Sequence, residues 1–275
     1  MTRAAILQMT SGIDPAANAA TLVAAIEDAR AGGAAMLFTP EMSGLLDRNR
    51  ERSAVHIASS EHDPVLAAVR EAAARAGIWL HLGSLAVRRP DGSLANRGFV
   101  IDGAGEVRAH YDKLHMFDVD LANGESWRES GAYTAGDWAQ IVDTPLGMLG
   151  LSICYDLRFP ALYAALADAG ADIFAIPAAF TRPTGAAHWK VLMRARAIEN
   201  HAFVIAAAQC GEHEDGRTTW GRSLCVGPWG GVLLDMGEGT GLGFAEIDLA
   251  AVAEARGRVP VRDHRREIPP VEIAT

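Results

Sequence analysis

Short apolar runs, each about one strand long, alternate with alanine-rich helical stretches along almost the whole chain, and this rhythm restricts the fold more than any other feature. Thr2–Gln8 reads as a strand. Ala16–Ala31 carries helical spacing through Leu22 and Ile26 and stops at Gly32-Gly33. Ala35–Thr39 predicts a short buried strand, Asp63–Ala76 a helix stopped by Gly77, and Ile78–Val87 another strand. Gly98–Asp102 and Glu106–Tyr111 flank Gly103-Ala104-Gly105 as a hairpin. The second half repeats the pattern, with strands at Leu149–Ile153, Asp172–Ile176 and Phe203–Ala208 and helices at Pro160–Ala169 and His188–Asn200. A turn at Pro228-Trp229-Gly230-Gly231 leads into Val232–Asp235, and Gly243–Ile247 and Leu249–Arg256 close the series as a strand and a short helix. Such alternation predicts an α/β layered domain in which helices cover sheets of buried strands. Ala35-Met-Leu-Phe-Thr-Pro40 resembles Asp172-Ile-Phe-Ala-Ile-Pro177, which predicts two sheets of related topology. No low-complexity tract or Pro/Ser-rich linker interrupts the chain, so residues 1–275 read as one domain.

Composition removes several function classes. A formal net charge of -9 leaves no basic surplus to replace the counterions of nucleic acid. No apolar run approaches the roughly 20 residues of a membrane span, and the N-terminus lacks a signal-peptide layout. Three cysteines, odd in number and far apart, do not form a disulfide framework, so a reduced cytoplasmic setting is expected. Neither H-E-x-x-H nor C-x-x-C occurs, and no metal or cofactor is expected.

Three polar residues share one placement, directly after a predicted strand: Glu41, Lys113 and Cys154. Taken singly, each has an ordinary explanation, since a buried cysteine is usually inert and Glu or Lys at a strand end is usually solvated. Together they form a complete set for acyl transfer. A thiol with an ordinary pKa of about 8.5 needs a base or a cation nearby. Glu41 can accept its proton and return it to a leaving amine. Lys113 can hold the oxyanion of a tetrahedral intermediate, with the backbone N–H of Tyr155 beside it. Amides of the turn that follows Cys154 would favour a thiolate. Gly150-Leu-Ser-Ile-Cys154 lacks the final glycine of a serine nucleophile elbow, which leaves Ser152 as a pocket-side support. Cys210 and Cys225 read as core residues, His188 and Trp189 as structural or pocket-lining. The glycines of Gly237–Gly243 read as a hairpin turn rather than a dinucleotide loop.

Phe38-Thr-Pro-Glu-Met42, Tyr111-Asp-Lys-Leu-His-Met-Phe-Asp118 and Ser152-Ile-Cys-Tyr-Asp-Leu-Arg-Phe-Pro160 resemble the three signatures of the nitrilase (carbon–nitrogen hydrolase) superfamily, in order. Thr184–Trp189, Arg194–Asn200, Ala206–Gly211 and Gly227–Gly230 resemble its Nit-type branch, so the resemblance covers nearly the whole chain. It implies a four-layer α-β-β-α sandwich, a homodimer or larger homo-oligomer, and a second glutamate near the lysine. Glu129 stands in that place, with Glu125 its rival. The branch resembles amidases acting on small acidic amides: deaminated glutathione, or the 2-oxo acids derived from glutamine and asparagine. Nitriles and N-carbamoyl amino acids are the alternatives within the fold, and an inactive binding module the alternative outside catalysis. A carboxylate substrate needs cationic partners, for which Arg158 and Arg182 are the candidates; the alternative is that both are surface arginines or pair with Asp156 and similar acids.

Overall fold

A computed structural model describes residues 1–121 and 124–274. Two six-stranded sheets form its centre. The first runs, edge to edge, Gly241–Ile247, Thr2–Gln8, Met36–Phe38, Trp79–Arg88, Leu94–Ile101 and Val107–Asp112. The second runs Ile141–Thr144, Gly147–Leu151, Ile173–Ala175, Phe203–Ala206, Leu224–Val226 and Val232–Asp235. In this order, both sheets pair antiparallel, parallel, parallel, antiparallel, antiparallel. Met36–Phe38 and Ile173–Ala175 therefore occupy the same place in their sheets, as the repeated hexapeptide predicted.

Parallel neighbours need long crossovers, and helices supply them. Pro15–Ala31 and Pro64–Ala76 serve the first sheet, Pro160–Asp168 and Arg182–Asn200 the second. Asp14 caps the first helix by accepting from the Ala16 N–H, and Asp63 caps the second through Leu66 N–H. Gly77 ends the second helix in the left-handed region at φ 62, where a side chain would be strained. On the outer face of the first sheet, Leu22, Ile26, Val65 and Val69 pack on Leu37 and Leu80. A second core joins the inner faces, Ile6, Phe38 and Val100 against Leu149, Leu151 and Ile173, and continues through Phe174 to Tyr163, Leu166, Trp189 and Met193 of the other helices. The layers are thus helices, sheet, sheet, helices. Each fully buried Leu, Ile or Phe contributes about 1.5–3 kcal/mol, so the shared inner core fixes one sheet against the other.

Three expectations are corrected. The helix predicted from His188 begins at Arg182: Pro183 falls in its first turn, where the missing N–H costs nothing. The strand leading to Cys154 ends at Leu151, not Ile153. Gly237–Gly243 is not a hairpin turn, because it links an edge of the second sheet to an edge of the first. Its carbonyls at Gly237 and Gly239 accept from the Gln8 side-chain amide, which ties that crossing to the first strand.

Loops that end a strand of each sheet come together over Gly83, in the middle of Trp79–Arg88. A Cβ there would lie 2.1 Å from the Thr39 carbonyl oxygen, 2.3 Å from that of Pro40 and 2.6 Å from the Pro177 Cβ. Only glycine lets the two equivalent loops, Thr39–Glu41 and Pro177–Ala179, close over the strand between them.

Candidate active site

Glu41, Lys113 and Cys154 come together where these loops meet, all three nearly inaccessible to solvent. Lys113 follows Val107–Asp112, which runs in the same direction as Met36–Phe38, so both strands deliver their charged residue to one edge. The Lys113 Nζ donates to Glu41 Oε1 at 3.0 Å and to Glu129 Oε2 at 2.8 Å. Asn96, on the neighbouring strand, donates to Glu41 Oε1 at 2.9 Å and Glu129 Oε1 at 3.1 Å. The Ala179 N–H reaches Glu41 Oε2 at 2.9 Å, and the Cys154 thiol is hydrogen-bonded to the same carboxylate. A carboxylate held by four donors, the thiol among them, sits where a thiol proton can be taken. Between the two glutamates considered, Glu129 is the one bonded to Lys113, and the Phe117 N–H also donates to its Oε2 at 2.7 Å. Glu125 accepts from the Trp127 indole at 3.2 Å.

Cys154 has φ 51, and Met42, next to Glu41, has φ 54. Non-glycine residues in this region cost on the order of 1 kcal/mol or more and persist only where surroundings enforce them. Here the Cys154 N–H is held by the Pro177 carbonyl at 2.9 Å and the Met42 N–H by the Ser84 hydroxyl at 2.9 Å. Asp156 completes the turn. Its fully buried carboxylate accepts from the Ile153 N–H at 2.9 Å, the Tyr111 hydroxyl at 2.8 Å, and the His115 N–H at 3.0 Å. Tyr111 and His115 flank Lys113 in sequence, so Asp156 ties the cysteine turn to the lysine strand. Pairing between Arg158 and Asp156 is therefore replaced by this network. Ser152 is no pocket-side support: with the strand ending at Leu151, its hydroxyl lies against Tyr163 and donates to the Ala175 carbonyl.

The electrostatics define one resting state. Burial alone would raise the Glu41 carboxyl, but the Lys113 ammonium and hydrogen bonds from Cys154, Lys113 and Asn96 hold it below its ordinary 4.5. Burial would lower Lys113, and Glu129, Glu41 and Cys154 outweigh it, keeping the ammonium well above 10.5. Burial, together with Glu41, pushes the Cys154 thiol well above 9.0. Glu41 rests as carboxylate, Lys113 as ammonium and Cys154 as thiol. The amides after Cys154, expected to favour a thiolate, do not outweigh these effects. The turn after Cys154 is a five-residue 3₁₀ segment, too short to offset burial and the Glu41 charge.

The three residues line a cavity of about 750 Å³. Tyr155 lines it as well, and its N–H lies in the first turn of the 3₁₀ segment, where amides lack an acceptor within the helix. Arg158 lines it too. Its guanidinium lies over the Tyr155 and Phe180 rings at 5.8 and 5.5 Å and donates to His188 Nδ1 at 3.2 Å. Arg182 is not brought to the cavity: it begins the long helix and faces solvent, and Thr181 and Thr184 form that stretch of wall. Trp189 is structural, its indole donating to the Arg222 carbonyl. Cys210 and Cys225 are buried away from this set. Asn96 and the amides of Phe117 and Ala179 escaped sequence reasoning, since a strand asparagine and backbone groups carry no motif of their own. Among the described residues, no cluster of His, Cys, Asp or Glu could hold a metal ion, and no helix is long and apolar enough to cross a membrane.

Comparison with known proteins gives this geometry a family. The sequence matches the family described as carbon-nitrogen hydrolase over residues 3–257. It is 38% identical over 265 residues to the deaminated glutathione amidase of Yersinia enterocolitica, covering 95% of this chain and 92% of that protein. Identity to the Rattus norvegicus protein of the same name is 40% over 268 residues, covering 95% and 81%. The NitFhit protein of C. elegans superposes with a TM-score of 0.89 at 39% identity over 96% of this chain, which spans 65% of that longer protein. A glutamate-to-glutamine mutant of the amidase from Nesterenkonia sp. AN1, with acrylamide added at its active-site cysteine, gives a TM-score of 0.78 at 26% identity, covering 95% of this chain and 99% of that one. The chain belongs to the carbon–nitrogen hydrolase family.

Proposed function

We propose that this carbon–nitrogen hydrolase cleaves the amide that joins a 2-oxo acid to an amine, with deaminated glutathione as substrate and Cys154 as nucleophile. The observation that carries the reading is the Glu41 carboxylate, bonded at once to the Cys154 thiol and the Lys113 ammonium at the floor of the cavity. Glu41 takes the thiol proton as Sγ bonds to the amide carbon, and the oxyanion forms against Lys113 and the Tyr155 N–H. Collapse breaks the C–N bond while Glu41 returns the proton to the leaving amine. A water then gives a proton to Glu41 and attacks the thioester; collapse frees the acid, and the thiolate regains its proton from Glu41. Glu129 and Asn96 hold Lys113 and Glu41 in place throughout.

Deaminated glutathione and 2-oxoglutaramate share an acyl half, whose carboxylate Arg158 reads. They differ in the leaving amine, cysteinylglycine or ammonia. The relatives named deaminated glutathione amidase and the size of the cavity favour the longer compound. The apolar surface around Trp229, Leu233 and Ile198 supports a homodimer or larger homo-oligomer, and unpaired thiols suit a cytoplasmic setting. The direct test is a panel of deaminated glutathione, 2-oxoglutaramate, a nitrile and an N-carbamoyl amino acid. Deaminated glutathione should lead in kcat/KM by about tenfold or more, the discrimination that a few extra pocket contacts supply. Preference for 2-oxoglutaramate would replace the substrate, and no turnover of any member would leave a binding module.

The resting charges set the pH dependence. Glu41 is depressed, so its base form exists above its own pKa and is lost only as pH falls through a value below 4.5. Its contribution to stability has the same sign: present above 4.5, lost as pH falls through the depressed value. Lys113 is raised, so its charge persists until pH climbs well past 10.5. The kcat/KM profile should therefore show an acid limb below 4.5 and no alkaline limb before 9.0. An acid limb near pH 8 would mean that a preformed thiolate, rather than the Glu41–thiol pair, is the reactive form.

A further inference from the structure

Five arginines line the cavity, and their hydrogen bonds divide them. Arg50 spends its guanidinium on the Gly131 and Arg128 carbonyls, and Arg128 on Asp120 and two carbonyls. Arg217 gives Nε and Nη2 to the buried Asp215, at 2.7 and 2.6 Å. That leaves Arg158, with no carboxylate partner among the described residues, and Arg48. The nearest carboxylate oxygen to the Arg48 Nε is Asp215 Oδ2, at 4.0 Å, beyond hydrogen-bond reach. Asp215 instead holds the Arg48 backbone N–H at 2.9 Å.

The two arginines with donors to spare stand at opposite ends of an aromatic row. Arg48 and Arg217 lie over the Trp127 ring at 5.4 and 5.3 Å. Trp127 is 6.4 Å from Phe117, and Phe117 is 5.1 Å from Tyr155, the ring that Arg158 covers. All of these residues line the one cavity. A path of two ring steps between two cations suits an extended ligand with an anion at each end. Three residues of extended chain reach roughly 10 Å, which fits these steps; an amide whose leaving group is ammonia ends short of Trp127.

On the amidase reading above, we propose that Arg48, steadied on Trp127 beside Arg217, forms a leaving-group subsite that binds the carboxylate at the far end of the amine half of the substrate. The substrate class is a 2-oxo acid amide of a short peptide with a free C-terminal carboxylate. Asp215 neutralises Arg217 and fixes the loop, so the Arg48 guanidinium, half exposed at the mouth, is the group left to the ligand.

The test uses deaminated glutathione and its analogue with the glycine carboxylate masked as a carboxamide, following release of the dipeptide half. In the native enzyme, masking should raise KM about tenfold with little change in kcat, as loss of one charge-assisted contact at a partly exposed site would. In Arg48→Ala the penalty for masking should vanish, and in Arg48→Lys it should be intermediate. A penalty that survives in Arg48→Ala, or one absent from the native enzyme, overturns the subsite while the amidase stands. Failure of the native enzyme to cleave either compound overturns the amidase reading itself, and the subsite with it.

Discussion

Replacing Cys154 with alanine is expected to reduce turnover by four to six orders of magnitude, the loss seen when a covalent nucleophile is removed and only binding and oxyanion contacts remain. The fold should survive, because the turn that carries Cys154 is held through groups the substitution leaves intact. These are the Cys154 N–H on the Pro177 carbonyl and the Asp156 carboxylate on the Ile153 N–H. Alanine meets the same backbone requirement at φ 51 as cysteine does. The thermal midpoint should therefore move by a few degrees at most, which for a chain of this length corresponds to about 1 kcal/mol. Mass spectrometry separates this thiol from the other two. A slow amide or an electrophile should add mass to the peptide containing Cys154 and to no other. Cys225 lies in the core with its thiol pushed up to about 12 by burial, and burial raises Cys210 as well. Turnover above about one part in a hundred in Cys154→Ala, or labelling confined to Cys210 or Cys225, removes the cysteine from the mechanism.

The sequence made the frame of this site readable because strand ends and turn residues are local signals. The position of Glu41 after Phe38-Thr-Pro, and of Cys154 after a short apolar run, follows from a period that changes where a strand stops. The repeat between Ala35–Pro40 and Asp172–Pro177 even announced that the two sheets would be built alike. What stayed hidden depends on contacts across long stretches of chain. Asn96 reaches Glu41 from 55 residues away, and Ala179 reaches it from 138. Arg182 and Arg48 show the same limit from opposite sides. Arg182 sits near a predicted strand end yet begins a helix, where its own side chain faces solvent. Arg48 belongs to no motif, and the packing of Trp127 and Asp215 is what brings it to the cavity. Charge state was equally out of reach: the short turn after Cys154 favoured a thiolate, while burial, with Glu41 folded against it, keeps the proton on sulfur.

Lys113→Met should cost both stability and catalysis, and a second substitution can separate them. The ammonium is 2% exposed and stands between two carboxylates, Glu41 and Glu129, that Asn96 also bridges. Taking it away leaves like charges facing one another in a buried pocket, a loss of about 3–5 kcal/mol. One carboxylate should then take up a proton more readily. The single variant should regain stability as pH falls from 8 toward 5, a window in which the native contribution of Glu41, depressed below 4.5, is constant. Adding Glu129→Gln removes the repulsion and leaves Glu41 with Asn96, the Ala179 N–H and the Cys154 thiol as donors. Denaturant unfolding should place the double variant within about 2 kcal/mol of the native protein, the residue being one lost charged hydrogen bond. Its turnover should nevertheless stay down by about a thousandfold or more, because the oxyanion still lacks its cation and one donor alone is worth about a hundred- to thousandfold. If the double variant recovered activity along with stability, Lys113 would be a neutralising residue for the two glutamates, and the Tyr155 amide would be left to hold the oxyanion alone.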